Sequence, residues 1–349
     1  MPPNNTQMRE RFIIADDDDF ADEFHIHDLE ERELKFRPKE IYKDLVNLDW
    51  SQVVWRNVIL FTLLHVYFVY GIYLVLSGQT AWQTVCFSVV LYWFGGLGIT
   101  MGCHRLWAHK SYKAVFPVRF VLMIMQTLAF QNSIYEWSRD HRVHHKFTET
   151  DADPHNAKRG FFFAHMGWLM TRKHPDVVRG GKTLDFSDLM EDPLVAFQHK
   201  YYLLLVLLCC FVGPTLIPVF LWNEHWLTAL MVSGFMRYTF VLHFTWTVNS
   251  LAHYVGTKPY DKTMYATENP LVAYLAMGEG WHNYHHVFPY DYRASEFGGA
   301  STSNLTTGVI EFLSRFGFTY DLKAASDSLI QKRVLRTGDA TKRRVMKNK

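Results

Sequence analysis

Apolar residues in this chain come in long blocks separated by long polar stretches. Segments near 55–77, 82–102, 202–222 and 226–247 each approach the ~20 residues that carry a helix across a bilayer. Ser77-Gly78-Gln79-Thr80 and Asn223-Glu224-His225 supply the short turns that return one span to the next. A linker as short and uncharged as 77–80 belongs on the far side of the membrane, with the Lys/Arg-rich regions in the cytosol. Pro214 and Pro218 are expected to kink the third span. The pattern predicts an all-α integral membrane protein with four transmembrane helices and a cytosolic helical cap.

The stretch 116–137 poses the topological question. It is apolar enough to suggest a crossing, but it carries Arg119, Gln126, Gln131 and Asn132, which are costly in hydrocarbon. A crossing there would also place His104 and His109 on one face of the membrane and His141, His144 and His145 on the other. The stretch therefore reads as a helix embedded on the cytosolic side or packed within the protein, and four crossings leave both termini and every histidine cluster on one face. The organisation that follows is an acidic, disordered arm over 1–45, an interfacial segment with spans one and two over 46–102, and a cytosolic region over 103–201. Spans three and four occupy 202–247, a second cytosolic region 248–331, and a solvated basic tail 332–349.

Composition changes this picture little. Of 349 residues 49% are hydrophobic, and the low mean hydropathy of -0.08 reflects the polar stretches between the blocks. The first forty residues hold the run Asp16 to Asp19 and no apolar core of a cleavable signal. Cys86, Cys103, Cys209 and Cys210 lie in or beside the apolar blocks without a C-x-x-C pair, which reads as reduced packing residues.

The candidate chemistry lies in the histidines. His104 and His109 form H-x4-H; His141, His144 and His145 form H-x2-H-H, a spacing repeated at His282, His285 and His286. On a helix, i, i+3 and i+4 share a face, so each H-x2-H-H run presents three imidazoles in one direction. A lone histidine reads as a packed or surface residue, but three clusters in one chain reverse that, because crowded imidazoles are favourable only around a cation. Eight imidazoles exceed what one ion takes, so two ions are expected. Asn249 and His253, four apart at the end of span four, point to the same side.

Imidazole-rich sites without thiolates suit iron, zinc or copper. Two redox-active irons can activate dioxygen and take hydrogen from an unactivated C–H bond. An apolar substrate explains a site at the bilayer and needs a dry tunnel, for which Tyr92-Trp93-Phe94-Gly95-Gly96 are candidates, ordinary span packing being the alternative. Arg139, Asp140, Arg172 and Lys173 could hold a phosphorylated head group at its mouth, or be scattered surface charges.

The motifs H-R-L-W-A-H, D-H-R-V-H-H-K-F, T-D-A-D-P-H-N, R-G-F-F-F-A-H-M-G-W and G-E-G-W-H-N-Y-H-H-V-F-P-Y-D-Y resemble those of integral-membrane acyl-CoA desaturases, specifically the stearoyl-CoA 9-desaturase group, from about Trp55 to Gly338. The resemblance implies an endoplasmic-reticulum enzyme with a kinked acyl tunnel. Its substrates would be a saturated acyl-CoA, O2 and electrons from cytochrome b5 and its reductase. It also implies two irons, one on His104, His109, His141, His145 and His285, the other on His144, His253, His282 and His286 with Asn249 reaching it through water. Asn57, Asn132, Arg139, Asp140, Arg172, Lys173 and Trp246 match acyl-CoA contacts in that group. Tyr92 and Gly96 match the tunnel's closed end, where glycine is expected to leave room for an eighteen-carbon chain. Of the eighteen histidines, those outside the ligand set, including His65, His165 and His243, read as packing or surface, with His155 a candidate partner behind a ligand. A di-iron fatty-acyl hydroxylase and a zinc-binding membrane receptor are the rival readings.

Overall fold

The computed structural model describes residues 12–15, 50–299 and 304–342. Among the described residues, four helices are long and apolar enough to cross a membrane: Trp55–Leu76, Trp82–Ala108, Tyr202–Trp222 and Trp226–Tyr254. They coincide with the four apolar blocks, but the second and fourth continue past the block ends. That continuation carries His104 and His253 out of the apolar layer on the helices that crossed it.

The first span buries only Leu64, Gly71 and Leu74, whereas the fourth is largely enclosed by its neighbours. Helices in lipid associate through close backbone approach and polar contacts, since an apolar surface gains little by leaving hydrocarbon. Gly71 provides one such approach, because a Cβ there would lie 2.8 Å from the Met236 Cβ on span four. Among the polar contacts, Glu224 accepts from the Ala81 N–H at 2.9 Å and the Thr84 hydroxyl at 2.6 Å, and Ser88 meets Ser233 at 3.0 Å. Arg237, 1% exposed, donates to the carbonyls of Ser233, Leu128 and Cys210 at 2.8–3.0 Å, tying spans three and four to the helix Phe116–Ala129. Spans two, three and four each contain a π-helical segment, at Gly98–Ala108, Leu207–Val212 and Leu230–Met236. In span three it ends two residues before Pro214, one of the two prolines expected to kink the helix there.

Phe116–Ala129 does not span. Its 14 residues extend about 21 Å, short of the ~30 Å hydrocarbon core. Leu122, Met123, Gln126 and Thr127 are buried against the protein while Phe116, Phe120 and Val121 are exposed. It crosses span two at Gly98, where a Cβ would stand 2.3 Å from the Gln126 nitrogen. Phe130 and Asn132, both at positive φ, then turn the chain, and Ser133 with Glu136 forms a capping box that starts Ile134–Phe147. The 116–137 stretch is thus one packed helix, a turn and the start of a second helix.

The C-terminal region folds back over span two through Arg105, which donates to Glu279, to the Tyr292 carbonyl and to the Thr307 hydroxyl. Among the described residues, two small β-pairs depart from the all-helical expectation. Lys113–Ala114 pairs antiparallel with Thr319–Tyr320, and Phe12–Ala15 pairs parallel with Leu322–Ala325. That strand is the described part of the arm expected to be disordered; the rest of 1–45, with the acidic run, lies outside the described residues. The basic segment expected to be solvated from Lys332 instead begins inside the helix Asp327–Thr337, where Val334 is buried and Arg333 bonds Asp261 at 2.5 Å. Residues 343–349 lie outside the described residues. The four cysteines are unpaired; Cys103 and Cys210 are buried, but Cys86 is exposed on span two rather than packed.

Candidate metal centre

The H-x4-H spacing does not fit an α-helix, on which residues five apart point about 140° away from one another. Here the chain is π-helical over Gly98–Ala108, and the His109 N–H donates to the His104 carbonyl at 3.0 Å, the i→i+5 bond of that helix. The widened turn brings both imidazoles to one side. His141, His144 and His145 stand on Ile134–Phe147, His253 at the end of span four, and His282, His285 and His286 on the short helix His282–Val287.

These nine side chains form two groups. In one, ligand atoms of His104, His109, His141, His145 and His285 all lie within 4.8 Å of one another, and in the other so do those of His144, His253, His282 and His286. Each H-x2-H-H run is divided between them. Within the first group Nε2–Nε2 separations are 2.8 Å for His104–His285, 2.9 Å for His285–His145 and 2.8 Å for His109–His141. In the second they are 3.0 Å for His282–His253, 3.1 Å for His286–His282 and 3.3 Å for His144–His286.

Two nitrogens about 2.1 Å from one ion and at right angles lie about 3.0 Å apart, widening to about 3.4 Å at a tetrahedral angle. The separations in both groups match. Hydrogen bonding alone cannot satisfy such convergence, since each neutral Nε2 is either donor or acceptor and His285 faces two others at once. Burial, and after it the neighbouring imidazoles, hold His109, His141, His145, His282, His285 and His286 well below the ordinary histidine range. Neutral rings with free lone pairs are the form that binds metal.

Carboxylates stand behind both groups. Glu279 Oε2 lies 2.8 Å from His104 Nδ1, while its other oxygen takes Arg105 at 2.8 and 3.0 Å. Asp153 Oδ1 lies 2.9 Å from His144 Nδ1 and 3.6 Å from His155 Nδ1. Burial alone would raise the Asp153 carboxyl, but His144, His155 and the Glu149 N–H draw it down to about 2. Such partners fix the tautomer and orientation of a metal-ligating imidazole. The sequence reading missed both carboxylates. Their signal lay inside the motifs, as the glutamate three residues before His282 and the aspartate two before His155.

An apolar cavity leads away from the imidazoles. Tyr92, Gly96, Thr100 and His104 recur every fourth residue along span two and line it from its far end to the imidazole groups. Val241, Phe244 and Val248 of span four and Leu275 to Met277 complete its walls, with Asn249 among the lining residues near His144 and His282. Of the five residues 92–96, Trp93, Phe94 and Gly95 do not line it; Phe94 is exposed and Gly95 packs on Ala129. Nor does Gly96 leave open room, since a Cβ there would lie 2.1 Å from the Met277 Cε.

Asp140 is gripped by Arg139 at 2.9 Å and by Lys173, and Arg172 is exposed beside Lys173. Backbone bonds from Arg172 N to Gln52 O at 2.8 Å and from Val54 N to Met170 O at 2.7 Å draw this segment to the start of span one. There Asn57 donates to the Leu169 carbonyl at 2.7 Å. Asn132 is exposed in the turn before Ile134, whereas Trp246 is buried against Phe61, His165 and His243. His65, His243 and His165 are not isolated packing residues. They form a chain from the Phe61 carbonyl to the Ser250 hydroxyl through contacts of 2.6, 3.1, 3.1 and 2.9 Å.

Residues 80–294, which contain all nine imidazoles, match the family described as Fatty acid desaturase. The chain is 56% identical over 305 residues to an acyl-CoA Delta-9 desaturase of Acheta domesticus, covering 87% of this chain and 82% of that protein. It is 50% identical over 288 residues to an acyl-CoA Delta(11) desaturase of Trichoplusia ni, covering 82% of each. It is 49% identical over 294 residues to stearoyl-CoA desaturase 5 of Homo sapiens, covering 83% and 87%. A family match spanning both imidazole groups, with about half the residues identical across most of each relative, means that this chain belongs to the fatty acid desaturase family.

Proposed function

We propose that this chain inserts a cis double bond at carbon 9 of saturated sixteen- to eighteen-carbon acyl-CoA. It would use O2 and electrons from cytochrome b5 and its reductase, in the endoplasmic-reticulum membrane with both termini cytosolic. The observation that carries this reading is two imidazole-only groups side by side at the inner end of an apolar cavity lined by Tyr92 and Gly96. His104, His109, His141, His145 and His285 would hold one iron and His144, His253, His282 and His286 the other, and iron there would supply the oxygen activation and hydrogen abstraction that no side-chain acid or base provides.

Each turnover removes two hydrogens from adjacent carbons and, with O2, two electrons and two protons, releases two waters. The protein's part is to position and to exclude. Arg139, Arg172 and Lys173 offer cations to the CoA phosphates, with Asp140 holding two of them in place. By the resemblance, Asn57, Asn132 and Trp246 would contact the acyl-CoA, and Val241, Phe244 and Val248, which line the cavity, would keep water from the acyl chain. Glu279 and Asp153 hold the Nδ1 sides of His104 and His144, leaving each Nε2 lone pair facing inward. Asn249, one of the residues lining the cavity, would reach the second metal through water, as the resemblance implies.

The similarity to a Delta(11)-named relative supports carbon 11 as the second reading of position. Expression in a desaturase-deficient yeast, with double-bond localisation by mass spectrometry, separates them. Delta-9 products support the proposal, a Delta-11 product moves the bond, and a hydroxylated product without alkene refutes desaturation.

A further inference from the structure

At the Gly96 end of the cavity, one wall belongs to span two and the other to the loop after Pro270–Leu275. Gly96 on span two lacks the Cβ that would point at the loop after Pro270–Leu275, and the space is occupied. The Met277 Cε would lie 2.1 Å and its Sδ 2.8 Å from that Cβ. Met277 is 2% exposed and lines the cavity together with Tyr92 and Gly96.

Its backbone is held firmly. Tyr92 donates from its hydroxyl to the Leu275 carbonyl at 2.5 Å, the Gly278 N–H to Ala273 at 2.7 Å, and the Thr306 N–H to the Met277 carbonyl at 3.2 Å. Met277 itself sits at φ 57, a conformation side-chain-bearing residues adopt at a cost. The root of the side chain is therefore fixed, while its thioether tip turns about three bonds.

We propose that Met277, seated in the notch at Gly96, is the stop against which the acyl tail ends, so that chain-length preference belongs to the Gly96–Met277 pair rather than to span two alone. This rests on the reading that the cavity takes an acyl tail. Met277→Ala removes the stop and shifts preference toward longer chains. Gly96→Ala drives the thioether tip out of its notch into the cavity and shifts preference toward shorter ones. The two effects are coupled: in a Met277→Ala background, Gly96→Ala has no tip to displace and its shortening effect disappears.

The test is competition among saturated C14, C16, C18 and C20 acyl-CoA by the full-length enzyme in yeast microsomes, read as the ratio of unsaturated products. One methylene in an apolar pocket is worth roughly 10- to 200-fold in selectivity, so the C18:C16 product ratio is expected to rise about tenfold in Met277→Ala. Met277→Gly, which suits the positive φ, makes the same opening without the backbone cost. Ratios within twofold of the unsubstituted enzyme in both Met277 variants overturn the proposal. So does a Gly96→Ala effect that persists without Met277, and so does loss of all product in both variants while protein remains in the membrane. No unsaturated product from the unsubstituted chain would instead refute the desaturase reading itself.

Discussion

Replacing Glu279 by glutamine changes one atom type and should separate two roles that the carboxylate combines. Glu279 is buried between His104 Nδ1 at 2.8 Å and the Arg105 guanidinium at 2.8 and 3.0 Å. Burial alone would raise its pKa, but Arg105 and His104 bring it below the ordinary carboxylate range. Because the folded value lies below the unfolded one of ~4.3, the ionised group stabilises the fold above that pH, and this contribution is lost as pH falls through the folded value. In Glu279→Gln, Arg105 keeps the Tyr292 carbonyl and Thr307 hydroxyl but loses its anion. Breaking a buried pair in this way costs about 3–5 kcal/mol. His104 loses its orienting carboxylate as well, a change that typically weakens metal affinity 10- to 100-fold, or about 1.4–2.8 kcal/mol.

The double variant Arg105→Met/Glu279→Gln separates the two effects. Removing both charges should recover most of the thermal midpoint, because a buried pair replaced whole costs little, yet metal affinity should stay low. The assays are thermal melting in detergent and metal content after graded chelation. Unchanged metal retention in Glu279→Gln, or its full recovery in the double variant, would refute the claim that Glu279 orients His104.

His144→Ala or His285→Ala should abolish turnover, since each removes an imidazole from a converging group; normal product formation in either would contradict the assignment. Asp153→Asn should weaken retention of the metal held by His144 about 10- to 100-fold while leaving the His104 group unaffected, as read by sequential chelation. Burial pushes the Glu149 carboxyl up to about 8. Its folded pKa exceeds the unfolded ~4.3, so its contribution is greatest below that pH and declines toward pH 8. Glu149→Gln, neutral throughout, should gain thermal midpoint relative to the unsubstituted protein between pH 5 and 8, and a constant difference across that range would contradict the burial argument.

Much of the architecture was legible because a bilayer imposes a length that one-dimensional hydropathy registers directly. The four apolar blocks became the four long helices, and Arg119, Gln126 and the parity of the histidines kept 116–129 from being read as a fifth. What hydropathy could not register was where helices continue once they leave the apolar layer. Spans two and four run on to Ala108 and Tyr254 because His104 and His253 are held by tertiary contacts, not by lipid. The H-x4-H spacing was a visible misfit to an α-helix, and the π-helix resolves it, but only the hydrogen bond from His109 to His104 makes that explicit. Glu279 and Asp153 carried no periodic signal, since their roles depend on which imidazole faces them across the fold. Gly96 misled in a different way: a missing side chain reads as empty space until the residue filling it, Met277 from 181 positions downstream, is seen. The basic end of the chain likewise read as solvated, though Arg333 and Val334 anchor a packed helix there.

The desaturase chemistry depends on what the two imidazole groups hold. Metal content of the purified full-length protein, by inductively coupled plasma mass spectrometry against quantitative amino-acid analysis, should give two irons per chain. A single ion per chain, or zinc in place of iron in a preparation that desaturates acyl-CoA, would contradict it.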